Sequence, residues 1–191
     1  MIRRLKKRRA TVWCVLAAIV SLIVVRLLID FWFADPLAAP SQLTDGPFRV
    51  ERIIDPITFV VRKDIEGSKP FRLRLVGIKI SQTTNWQAES QAMQMTSEFI
   101  DRGRPIESKT SEQRIDPLVS LQFDRTYLSN DQTALAYLLI NDEILNIELS
   151  KAGLVVPDPI IGNSPSMQRK IRKAADYAKN MKLGMHLNSD D

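Results

Sequence analysis

The sequence predicts an α+β domain: a five-stranded β-barrel of the OB type with about three helices, preceded by one transmembrane helix. Three observations carry this. Short β-rich runs come as a group of three, then a helical stretch, then two more strands. Two further helical patterns close the chain. Ahead of everything, six basic residues lead into an apolar run.

That run divides the chain. Arg3, Arg4, Lys6, Lys7, Arg8 and Arg9 form a basic tail over residues 1–9, which the positive-inside rule holds in the cytoplasm. The apolar stretch from Ala10 to Val25 covers about 24 Å as a helix, short of the hydrocarbon core of about 30 Å. Extension to Phe33 completes a span over residues 10–33, with Arg26 snorkelling or paired with Asp30 one turn on. Phe31, Trp32 and Phe33 then form an aromatic belt at the far interface. The rival reading is a signal peptide cut after Leu37-Ala38-Ala39, which Pro40 directly beyond the cut disfavours. The expectation is a single-pass membrane protein with its domain on the extracytoplasmic side. Cys14, the sole cysteine, lies in the apolar run, so no intrachain disulfide exists.

Residues 34–46, with Pro36, Pro40 and Gly46, read as a linker, and residues 47–188 as the domain. Val50 to Val61 reads as strand, turn, strand. Thr58–Lys63 and Phe71–Val76 are joined by a hairpin loop over Asp64–Lys69. Phe71, Leu73 and Leu75 alternate with Arg72 and Arg74, which predicts one core face and one face carrying two arginines. Thr84 and Gln87 have capping-box spacing, and Trp86, Met93, Thr96 and Ile100 recur at helical intervals. Val119, Leu121 and Phe123 alternate as a strand, as do Leu135, Tyr137 and Leu139. A short helix follows over Glu143–Ala152 and stops at Gly153. In the last helix Ser164 is the cap and Pro165 the first residue. Met167, Ile171, Ala174, Ala178 and Met181 form its apolar stripe, and Gly184 ends it. Its six basic residues, among them Lys170 and Lys173, read as an ordinary solvated face.

The net charge of +5 misleads about partners. From Ser41 onward there are twenty basic and twenty acidic residues, so the domain is neutral. Phosphate binding normally shows as a basic face, which makes nucleic acid the less favoured partner.

The residues also resemble a known family. Asp55-Pro56-Ile57-Thr58 is similar to the D-G-D-T turn, and Phe71–Ile80 to the F-R-L-x-L-V-D-T-P-E strand, of staphylococcal-nuclease-like (thermonuclease) domains. Leu135-Ala136-Tyr137 resembles that family's L-A-Y strand. Asn146, Leu149, Gly153 and Leu154 fit its V-N-x-x-L-v-x-x-G-L helix. Lys182-Leu183-Gly184 fits its closing K-x-L-G-x-W, with His186 in place of tryptophan.

The resemblance implies phosphodiester cleavage with one Ca²⁺, two arginines and a glutamate base. Of that set only Arg72 survives here. Ile57 and Gly77 stand at the metal-binding aspartates, Ile80 at the glutamate and Thr133 at the second arginine. An alkyl chain accepts no proton, and loss of both carboxylates removes a tight divalent site. The expectation is therefore a catalytically inactive binding module with no cofactor. It would face the membrane through residues 10–33 and take a protein or envelope component as partner. The alternative is an active nuclease for DNA or RNA with a relocated site from Arg72, Asp55, Asp124 and Asp131, and Ca²⁺ enters only there.

Overall fold

The computed structural model describes residues 19–22, 37–40, 43–81, 86–105, 116–158 and 164–187. Leu37–Asp191 forms one compact unit, and Met1–Pro36 is a separate one in which residues 19–22 are helical. Most of the expected span over 10–33 lies outside the described residues, as does Thr84. Among the described residues no helix is long and apolar enough to cross a membrane.

The strands are β1 (Gly46–Asp55), β2 (Thr58–Lys63), β3 (Phe71–Leu75), β4 (Ile78–Lys79), β5 (Leu118–Leu128), β6 (Ala134–Ile140), β7 (Glu143–Ile144) and β8 (Val156–Pro157). The helices are α1 (Trp86–Asp101), α2 (Leu145–Lys151) and α3 (Pro165–Asn180), followed by a 3-10 turn at Gly184–His186. The main sheet runs β3-β2-β1-β5-β6 with antiparallel neighbours, and a parallel β3–β6 pairing closes it into a five-stranded barrel. Closure removes the exposed edges that an open sheet of this size would carry. The barrel with its helices is the mixed α+β, OB-like fold expected.

The alternation in β3 holds: Phe71, Leu73 and Leu75 are buried while Arg72 and Arg74 point outward. Phe48 meets Phe71 and Phe123 edge-on, with ring centroids 5.9 and 6.0 Å apart, in the geometry that aromatic quadrupoles favour. Two buried polar side chains lock the helices to the barrel. The Thr96 hydroxyl on α1 donates to the Pro56 carbonyl at 2.9 Å. Asn146 on α2 accepts from the Leu138 N–H at 3.3 Å and donates to the Val76 carbonyl at 2.8 Å. Each satisfies a backbone group that would otherwise be stranded in the core. Ser164 caps α3 by accepting from the Met167 N–H, with Pro165 at the first helical position.

Two stripe positions depart from expectation. Trp86 is 81 % exposed and Met181 57 % exposed, so neither belongs to the core. Trp86 opens α1, and Met181 is the C-cap of α3. At both ends the helical period has run past the surface that it packs against.

The linker expected over 34–46 also has structure. Leu37 accepts from the Arg72 N–H and Ala39 donates to the Gln132 carbonyl, both at 2.8 Å. Leu37–Ala39 thus straps β3 to the loop before β6, and Ala39 is buried.

Candidate functional site: the β1–β2 turn and the cleft at the end of β3

The turn between β1 and β2 is held from three sides. The Asp55 carboxylate accepts from the Ile57 N–H at 2.9 Å, closing a turn of the kind short acidic side chains form with their own backbone. Thr96 holds the Pro56 carbonyl, and the Ile57 carbonyl accepts from the Leu75 N–H at 2.8 Å. This geometry turns the Ile57 side chain into the core, where it is 3 % exposed.

The end of β3 is equally tied. Val76 donates to the Ala136 carbonyl at 3.1 Å, and the Gly77 carbonyl accepts from the Asp158 N–H at 2.8 Å. Gly77 has φ +80°, a left-handed backbone that glycine enters without a Cβ clash. Ile78 is buried beside it and Ile80 packs partly buried against the core. Burial of an isoleucine side chain is worth about 1.5–3 kcal/mol. Apolar packing therefore stabilises this end of the barrel.

Of the four relocated-site candidates, each is placed by its own local structure. The Asp124 carboxylate accepts from the Tyr137 hydroxyl at 3.0 Å and from the Ser164 N–H at 2.6 Å, joining β5 to the barrel interior and to the cap of α3. Burial, then the neighbouring Asp124, pushes the Tyr137 phenol well above its ordinary value. Asp131 lies in the loop before β6, where it accepts from the Ser129 hydroxyl and, at 3.3 Å, from the Thr133 N–H. The Ser129 hydrogen bond, the largest cause, holds the Asp131 carboxyl below its ordinary value. Asp55 serves its turn, and Arg72 lies half-buried on β3, its N–H on the strap. Thr133, one residue before the paired Leu73–Ala134 register as Arg72 is, is 4 % exposed.

A cleft of about 380 Å³ opens beside these elements, lined among others by Arg74, Gly77, Ser129, Asp131 and Asp158. Of the four candidates only Asp131 lines it. Arg74 and Asp158 join it there. Nothing in the sequence pattern marks Asp158, because a main-chain hydrogen bond to Gly77 brings it to the cleft.

The residues present do not fit a Ca²⁺ ion. Ca²⁺ needs several oxygen ligands, mostly carboxylate. The side chains at Ile57 and Gly77 supply none, their carbonyls are taken by the Leu75 and Asp158 N–H groups, and among the described residues no cluster of three acidic, histidine or cysteine side chains surrounds a common point. The cleft brings Arg74 together with two aspartates, Asp131 and Asp158.

The comparisons with known proteins agree with the fold. The chain is 27 % identical over 122 residues to the thermonuclease of Staphylococcus intermedius, covering 58 % of this chain and 66 % of that protein. The domain is thermonuclease-like. No family model matches the chain. The match spans a little less than two thirds of the relative's length. The thermonuclease-like domain retains the barrel while its turn and its β3 end are built from core residues.

Proposed function

We propose that the protein is a membrane-anchored, thermonuclease-like module whose extracytoplasmic domain is catalytically inactive and binds a protein or envelope component. The observation that carries the reading is the burial of Ile57 in the barrel core at the position where the resemblance expects a metal-binding aspartate. Gly77 and Ile80 support it, since neither donates a ligand nor accepts a proton. The basic tail and the apolar run over 10–33 support the anchored topology.

The test is a nuclease assay of the full chain on DNA and RNA, with and without millimolar Ca²⁺. Turnover at background in both is expected. A second reading, an active phosphodiesterase with a relocated site, draws on the joint presence of Arg74, Asp131 and Asp158 along one cleft. Ca²⁺-stimulated cleavage that Asp131→Ala or Arg74→Ala abolishes would establish it instead. For topology, a reporter fused after Asp191 should be active only outside the cytoplasm. Cytoplasmic activity would overturn the anchored reading.

A further inference from the structure

The outer flank of α3 combines charge and apolar surface in a way that a solvated helix does not require. Its inner stripe of Met167, Ile171, Ala174 and Ala178 is already committed to the core. On the adjoining flank Lys173, Tyr177 and Met181 follow each other at four-residue spacing, with Lys170 one turn before Lys173, so they form one contiguous strip. Tyr177 is 45 % exposed and Met181 57 % exposed, and the turn after the helix adds Leu187 at 66 %. Elsewhere on its exposed surface α3 carries Arg169, Arg172 and Lys179, against a single acidic residue, Asp176.

We propose that this flank docks on an anionic lipid surface. Charge complementarity selects an anionic partner: cations concentrated on one helix attract phosphate-bearing headgroups over a range of about 8 Å at physiological salt. The exposed apolar side chains select lipid among anionic partners. A tyrosine places its ring in the headgroup region with its hydroxyl toward water, and methionine and leucine enter the acyl boundary beneath. Nucleic acid would use the same cations, yet it needs stacking platforms, and Tyr177 alone on this strip is one. The strip is small, so the contact is weak alone and gains from any tether that keeps the domain near a bilayer. It rests on the anchored reading only for that proximity.

The experiment uses the full chain with two kinds of liposome, pure phosphatidylcholine and phosphatidylcholine with phosphatidylglycerol. Flotation reads attachment, and hydroxyl-radical footprinting reads Tyr177 and Met181. Trp86, 81 % exposed on α1, is the internal control. On anionic vesicles oxidation of Tyr177 and Met181 should fall roughly three-fold, with Trp86 unchanged, and Lys170→Glu with Lys173→Glu should restore it. Flotation on both liposomes with this selective protection supports the inference and the anchor together. Flotation only on anionic vesicles, with the same protection, keeps the inference and removes the anchor. Flotation without protection keeps the anchor and overturns the inference, and flotation on neither overturns both. Protection of the strip by a single-stranded oligonucleotide in the absence of vesicles, without protection on anionic liposomes, also overturns it in favour of nucleic acid.

Discussion

At the β1–β2 turn a carboxylate closes its own loop and an isoleucine fills the core, while along α3 a run of lysines and arginines faces water with a tyrosine and a methionine among them. The two regions sit at opposite extremes of charge use. At the turn Ile57 packs in the core and the Asp55 carboxylate is committed to its own backbone. The helix has accumulated cations and exposed apolar groups that packing does not need. Residues that cost stability or gain none from the fold are the ones to examine for function, and here they lie on the helix and not at the turn.

The sharpest attempt to break this comparison is to put the carboxylate back. Ile57→Asp should destabilise the domain by about 3–5 kcal/mol, because it leaves a cavity and buries a charge without a partner. A fall in melting temperature of roughly 10 °C is expected, measured by circular dichroism. Millimolar Ca²⁺ should leave the melting temperature of wild type and variant unchanged. A Ca²⁺-dependent rise of several degrees would mean that a metal site persists and that the cleft end is not the inert one.

Asp124 comes next in expected effect. Asp124→Ala removes the acceptor shared by the Tyr137 hydroxyl and the Ser164 N–H, costing about 2–3 kcal/mol. The pH dependence has a definite sign. The Tyr137 pKa is raised in the folded state, so its contribution is complete below the unfolded value of about 10 and falls away as pH rises above it. Denaturant melts of the wild type should weaken above that pH, and a melt insensitive to alkali would show that Tyr137 is not held as described.

Smaller is Ile80→Glu. Ile80 is only partly buried, so the glutamate can turn toward water, and a loss of about 1 kcal/mol is expected. No cleavage should appear. If nuclease activity did emerge, the cleft would prove to lack a base and nothing else.

Smallest is Asp131→Ala, below about 1 kcal/mol because the carboxylate is exposed. Its pKa is lowered, so its contribution is present above the usual carboxylate range and lost as pH falls through the folded value. The gap between wild type and variant should close in acid. A gap that is constant with pH would assign the effect to the loop backbone.

Much of the barrel was legible because burial writes itself into period. The Phe71, Leu73, Leu75 alternation and the Met167, Ile171, Ala174, Ala178 stripe both appear as read. Periodicity does not say where a helix leaves its support, which is why Trp86 and Met181 read as core and stand exposed. The resemblance singled out Ile57, Gly77, Ile80 and Thr133, but not that Asp124 binds Tyr137 and Ser164, since those partners lie 13 and 40 residues away. Asp158 and the strap were invisible for a further reason. Main-chain hydrogen bonds place them, and these leave no signature in side-chain identity.

The strap has a mechanical consequence. A pull along the chain from the N-terminal side first loads the Leu37–Arg72 and Ala39–Gln132 bonds, next to the parallel β3–β6 seam, and not the start of β1. Among the described residues, the next side-chain fastenings are the Thr44 hydroxyl, which accepts from Lys63, and the Asp45 carboxylate, which accepts from the Phe123 N–H. On the N-terminal side these contacts lie outside the barrel strands, so they yield before tension reaches β1. The domain therefore carries a shock absorber of one short segment, which yields and re-forms while the barrel stays closed.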